Sequence, residues 1–224
     1  MAVILYPAAG AIPGGDRLYD YRTSVQLQDE FASGLSTGGS IGSLGWISSG
    51  GTTSLLAPEA NHPGIVRRST GGSINTATTL GLYGGTRQFL GSETYDWLFV
   101  ARLNTNDALT LVRIGLLASL ANPSPAGMYF EKLDADTNWF CVTRLSSSET
   151  RVDSGVAVTT DFATFSGSKD AGGAIFYING VQVAGPITDT LPNLCLPATL
   201  INNGEAADKS IDIDYFEQHI KVSR

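Results

Sequence analysis

The chain reads as an all-β protein, a two-sheet antiparallel β-sandwich preceded by an extended N-terminal arm. Three observations predict this. Short runs rich in β-branched and aromatic residues recur along the chain, separated by clusters of Gly, Ser, Asn and Asp. About a dozen such runs follow one another at the spacing of sandwiches and barrels. Beyond Phe31 there is no amphipathic helical pattern, no repeat of fixed period and no heptad tract.

Taken in order, residues 1–30 form the arm and residues 31–224 the sandwich domain. Residues 1–16 are apolar but contain Pro7 and Pro13, which exclude a helix. Val3, Ile4, Leu5, Tyr6 and Ile12 are the arm's candidate contact residues, either laid on their own domain or lent to a neighbouring subunit. Residues 17–30 allow a short helical turn or an extended connection. A Gly/Ser loop leads to a strand at Trp46–Ser48, and strands follow at Gly64–Ser69 and Thr76–Tyr83. Trp97–Leu103 is continuously apolar, the pattern of a strand covered on both faces, and Leu109–Leu117 is its expected partner. Gly127–Leu133 and Asn138–Leu145 flank a turn at Asp134–Asp136, and Val152–Val158 alternates. In AIFYINGVQVA two β-rich runs meet at Asn179-Gly180, the preferred pair of a two-residue type I′ hairpin. The last strand, Ser210–Val222, places Ile211, Ile213 and Tyr215 on one face and Asp212, Asp214 and Phe216 on the other if it is unbroken.

Composition narrows the function. Only 16% of residues are charged and the net charge is −7, so the surface is rich in Ser, Thr, Asn and Gly. Fourteen Lys and Arg leave no basic patch able to neutralise a run of phosphates, so no direct nucleic-acid partner and no anionic membrane partner is expected. No secretory signal is expected either, because the start lacks a basic region and Pro7 breaks its apolar stretch. Cys141 and Cys195 both sit in apolar strand-like text and read as buried thiols, with a disulfide between them unneeded at this size. With His62 and His219 the only histidines, neither a zinc site nor a Ser-His-Asp site has support. Asp134, Asp136 and Asn138 resemble the start of a calcium loop, but the sixth-position Gly and the flanking helices are missing, so the run reads as a hairpin turn, with a calcium site as the alternative because carboxylate and amide oxygens are its ligands. No metal or other cofactor is expected.

The motifs SLGW, NHPGIVRRSTG, WLFVARL, VRIG, GMYFE, NWFCVTR, FYINGVQV and IDIDYFE occur in that order over residues 31–222. The ordered set resembles the concanavalin A-like lectin/glucanase sandwich as it occurs in bacteriophage structural proteins. LYDYRTSVQLQDEF, ahead of it, resembles the lead segment of such virion proteins. The resemblance implies a virion surface component made in a bacterial host's cytoplasm. The expected role is a non-catalytic head decoration, or cement, protein on the major capsid protein or other virion proteins, since the chain carries no fibrous shaft. Homo-oligomers, typically trimers, go with that role. One alternative is a tail-fibre or receptor-binding module that recognises carbohydrate. Its candidate platforms are Trp46 and Tyr83, which adjoin glycine loops, whereas Trp97 and Trp139 lie in apolar strands and read as core.

A third alternative is a glycan hydrolase. Glucanases of this fold carry an E-x-D-x-x-E strand in which one carboxylate is nucleophile and another the general acid. Asp212, Asp214 and Glu217 resemble that motif, but Asp212 is one methylene short and the motif lies near the C-terminus. An unbulged strand would also put Asp212 and Glu217 on opposite faces. No catalytic residue is therefore expected, and the chain is read as a binding or building protein.

Overall fold

The computed structural model describes residues 24–31, 40–82, 94–104, 108–119, 126–192 and 195–221. Sixteen strands account for the regular structure of these residues. They are β1 (Ser24–Asp29), β2 (Ser40–Ile41), β3 (Trp46–Ser49), β4 (Thr52–Leu56), β5 (Ile65–Ser69) and β6 (Ala77–Gly81). Next come β7 (Thr94–Leu103), β8 (Thr110–Leu117), β9 (Gly127–Lys132), β10 (Asn138–Leu145) and β11 (Ser148–Ala157). The last five are β12 (Ala163–Asp170), β13 (Gly173–Ile178), β14 (Val181–Ile187), β15 (Leu196–Asn203) and β16 (Ser210–Lys221).

The strands form two eight-stranded sheets. The first runs β14-β13-β12-β7-β16-β5-β4, with β1 also paired to β16. The second runs β11-β10-β9-β8-β15-β6-β3-β2. All pairings are antiparallel, as expected for this architecture. β16 organises the first sheet. It pairs with β7 along its length, with β5 through Ser210–Ile213, and with β1 from Phe216 to Lys221.

The sheets bury an aromatic core between them. Trp46 meets the edge of Phe216 at 5.0 Å, Phe99 lies 4.9 Å from Phe216, and Trp139 meets Phe165 at 4.8 Å. Such tilted and edge-on pairs suit the ring quadrupole. Gly167 in β12 faces this core, where a Cβ would lie 2.8 Å from the Trp97 ring, so only glycine lets the indole pack. Cys141 and Cys195 are buried free thiols, each pushed up to about 12 by burial. A second apolar cluster lies on the outer face of the second sheet, formed by Leu117, Tyr129, Val142, Leu196, Ala198 and Leu200.

The type I′ hairpin stands where the sequence places it, with φ of 50° at Asn179 and 77° at Gly180 joining β13 to β14. β8, read as the partner of β7, instead pairs with β9 and β15 in the second sheet, and three further strands depart from the sequence reading. β4 occupies text read as turn and loop, β12 (ATFSGSKD) is interior to the first sheet, and β15 (LPATLINN) is interior to the second. β12 and β15 are poor in β-branched and aromatic residues for their position, and sheet pairing overrides that local preference. β7 alternates buried with half-buried residues and is not closed on both faces. Residues 24–29, counted with the arm, form β1 and pair with β16.

Candidate functional site

β16 carries the acidic motif, and a β-bulge governs how it is displayed. Ile213 pairs with Ala101 and Tyr215 with Val100, so Asp214 is an extra residue in the strand. Before the bulge Ile211 and Ile213 face the core. After it Phe216 and Ile220 do. Asp212, Tyr215, Glu217 and His219 consequently share the outer face of the first sheet. This corrects the expectation of strict alternation, under which Asp212 and Glu217 would point in opposite directions.

Sharing a face does not make the carboxylates equivalent. Asp212 has no exposed surface. Its oxygens accept from Arg67 Nε at 2.6 Å, Arg67 Nη2 at 2.9 Å and Arg102 Nε at 2.9 Å. Arg102 also grips Glu59 at 2.9 and 2.6 Å, and that contact holds the Glu59 carboxyl below its usual range. Residues 57–63 fold over this end of the sheet, with Glu59 and His62 exchanging backbone hydrogen bonds at 3.0 Å. His62 Nδ1 lies 2.8 Å from Asp214 Oδ2, and its ring stacks on Phe162 at 3.9 Å. Arg102 packs at 4.3 Å from the same Phe162 ring. Burial pushes the Asp214 carboxyl up, against the opposing pull of His62 and the Gly64 N–H. An attacking carboxylate needs an open path to a sugar carbon, and neither Asp212 nor Asp214 has one.

Glu217 is different. Its side chain keeps 24% of its surface exposed and is held in three ways. Gln26 Nε2 donates to it at 2.9 Å, Tyr215 Oη donates at 3.2 Å, and His219 Nε2 lies 2.8 Å away. Burial works against ionisation, but these hydrogen bonds outweigh it and Glu217 titrates below the usual carboxylate range. A general acid needs the opposite shift. Register places Glu217 in a row across the sheet, from Gln28 through Glu217, Leu98 and Ser166 to Tyr177 and Gln182. Tyr177, Tyr215, Leu98 and Val100 are half-buried. The result is a partly open face with two tyrosines, amides and the Glu217 carboxylate, a combination suited to holding a polyhydroxylated ligand.

A cavity of about 190 Å³ opens beside this face at the end of the sandwich. Its walls include Arg102, Asp161, Phe162, Asn179 and Trp139. Arg102 and Phe162 are already engaged by the His62 cluster, and Trp139 offers only an edge, at 4% exposure.

The sequence-predicted residues fall as follows. Trp46 is 0% exposed, a correction to its reading as a sugar platform. Its ring points between the sheets, and its Nε1 donates to the buried Asp29 carboxylate at 3.2 Å. A neighbouring glycine loop says where a strand ends, not which way its first side chain points. Tyr83 and the arm residues Val3, Ile4, Leu5, Tyr6 and Ile12 lie outside the described residues. Trp97 and Trp139 are core, as read. In the aspartate-rich turn, Asp136 accepts from the Leu133 N–H at 2.7 Å and from Arg151, and Asn138 donates to Asp153 at 3.1 Å. Among the described residues no group of three His, Cys, Asp or Glu is arranged to hold a metal ion. Arg67, Arg102, Gln26 and Tyr177 escaped the sequence reading, and His62 entered it only as a residue without support for zinc or triad chemistry. Alternation within β5, β7 and β13 marks several as outward-facing, but their meeting depends on strand order.

No protein-family model matches the chain, and no curated protein matches it. Solved structures do. A protein of unknown function from Shewanella oneidensis MR-1 superposes with a TM-score of 0.63 at 18% identity, covering 90% of this chain and 89% of that one. The carbohydrate recognition domain of Emp47p superposes with a TM-score of 0.60 at 11% identity, covering 92% and 100%. A glycoside hydrolase family protein from Mycobacterium thermorestibile superposes with a TM-score of 0.57 at 13% identity, covering 86% and 99%. At these identities the likeness is one of fold. The chain has the concanavalin-like, jelly-roll type of β-sandwich found in lectins and glycoside hydrolases.

Proposed function

We propose that this protein is a non-catalytic carbohydrate-recognition module and that it binds glycans on the outer face of its first sheet. The observation that carries this is Glu217, ionised, partly open and fixed by Gln26, Tyr215 and His219, with Tyr177 in the same cross-strand row. Fixed acceptors and donors recognise sugar hydroxyls, and a half-exposed tyrosine offers an apolar surface to a sugar's C–H face. The neighbours that bind or cleave glycans support the choice of ligand class. The enclosed Asp212 and the lowered Glu217 carboxyl support a binding role over hydrolysis. A glycan array run with the wild type, Tyr177→Ala and Glu217→Gln tests this. Binding weakened in both folded variants, with no reducing sugar released from the bound glycans, is the expected result. Sugar release that disappears in Glu217→Gln would make the protein an enzyme.

The motif order over residues 31–222 and the sparse surface charge favour one setting for such a module, the surface of a bacteriophage particle. There it would serve as a homo-oligomeric head decoration on the capsid protein or as a receptor-binding tail component. Antibody labelling of intact particles distinguishes these by density on the head or at the tail, and absence from the particle rejects both.

A further inference from the structure

Three enclosed polar side chains stand inside the sandwich without hydrogen-bond partners. Gln218 shares a face of β16 with Phe216 and Ile220, so its side chain points between the sheets. It is 0% exposed, and neither its Oε1 nor its Nε2 has a partner among the described residues. Trp97 lies directly opposite it on β7 and faces the same core, and its Nε1 is also without a partner there. Thr199 is the third. Its neighbours Ala198 and Leu200 face outward, so it shares the inner face of β15 with Ile201, and its Oγ1 is enclosed and unpaired.

Register brings the three to one place. Across the first sheet an inner row runs Phe176, Gly167, Trp97 and Gln218. Across the second a row runs Phe130, Ile114, Thr199 and Leu80. The Phe130 ring meets Phe176 at 5.3 Å and Trp97 at 6.0 Å, so the rows lie against each other with Phe130 opposite Gly167. At equal strand spacing Ile114 then falls opposite Trp97, and Thr199 opposite Gln218. Trp97 Nε1 is a donor and the Gln218 amide offers an acceptor, yet the two are not bonded. Enclosed polar groups held near one another but beyond direct reach are the setting in which a water bridges.

We propose that an internal water molecule is bound between the sheets at Gln218, Trp97 and Thr199. It accepts from Trp97 Nε1 and bonds the Thr199 hydroxyl. Whichever way the Gln218 amide is turned, it supplies a third bond, the number typical of buried water. Glu217 and His219 flank Gln218 on the opposite face of β16, so the strand that displays them is tied through water to the second sheet.

The test is water-selective proton NMR on the intact, isotope-labelled protein. Trp46 is equally enclosed, but its Nε1 donates to Asp29, so it serves as the internal control. The proposal expects a cross-peak between water and the Trp97 indole N–H, of the sign a long-lived water gives, and none at Trp46. Gln218→Met, similar in length but without the amide, should abolish the Trp97 peak. Should that variant fail to fold, Thr199→Val carries the same comparison. Absence of a water peak at Trp97 in the wild type overturns the proposal, as does a direct contact between the Trp97 indole N–H and the Gln218 amide in its place. A peak that survives in the folded variant also overturns it, because other groups would then hold the water.

Discussion

The two outer faces of this sandwich are built from the same kind of strand and end up with opposite properties. On the first sheet, β7 alternates buried with half-buried residues, and β16 shows Tyr215 and Glu217 to a partly open surface. On the second, every residue of β9 is buried, and β8 and β15 each contain one half-buried position. Charges follow the same division. Glu131 is enclosed between Arg113 and Arg151, whereas Glu217 is held by neutral donors and a histidine and keeps access to solvent. A carboxylate between two arginines is a structural part, since any ligand would have to compete with bonds already made. A carboxylate positioned by Gln26, Tyr215 and His219 still has capacity for a hydroxyl. Motif identity alone does not separate them, and within β16 itself Asp212 behaves like Glu131.

Substitutions can break or sharpen that contrast, and the largest effects belong to the enclosed side. Trp46→Ala should destabilise the fold by about 3–5 kcal/mol in chemical denaturation, through a core cavity and the loss of the indole donor to Asp29. Any loss of binding in that variant should track unfolding. Asp212→Ala should cost about 3 kcal/mol by the same measurement, because it removes the enclosed carboxylate between Arg67 and Arg102 and leaves Glu59 as the carboxylate on Arg102. Tyr177→Ala should leave denaturation within about 0.5 kcal/mol of wild type. It should weaken glycan binding by about 1 kcal/mol, roughly fivefold in calorimetry.

The smallest effects are in the pH dependence of stability, where Glu217 and Asp214 act in opposite directions. Glu217 titrates lower in the folded state. Its stabilisation is therefore present above the unfolded value of about 4.3 and disappears as pH falls through the folded value. Glu217→Gln should flatten that acid limb. Asp214 titrates higher in the folded state. Its contribution is present below the unfolded value of about 3.9 and is lost as pH rises through the folded value. Asp214→Asn should remove that decline. Denaturation curves at intervals from pH 3 to pH 7 would separate the two slopes.

Much of the fold is legible in the sequence. Asn179-Gly180 marks its hairpin because type I′ geometry demands positive φ at both positions. β8 and β10 announce themselves by β-rich runs. β12 does not, because Gly167 serves Trp97 packing and Thr164, Ser166 and Ser168 serve the open face, needs set by partners distant in sequence. The candidate site was half legible. IDIDYFE identifies the strand, but the bulge at Asp214 reverses the display of everything after it, and a one-residue insertion in a ladder leaves no mark in local composition. Trp46 misleads for a related reason: aromatic character is visible in sequence, whereas the direction of a short strand's first side chain is set by its pairing with β2 and β6.

The most direct measurement is methyl chemical-shift mapping on the intact protein with a glycan selected from an array. The account predicts shifts at Leu98, Val100 and Ile175 around the Glu217 row, with Leu117, Val142 and Leu200 unmoved. Shifts confined to Leu117, Val142 and Leu200 would place recognition on the second sheet and contradict it.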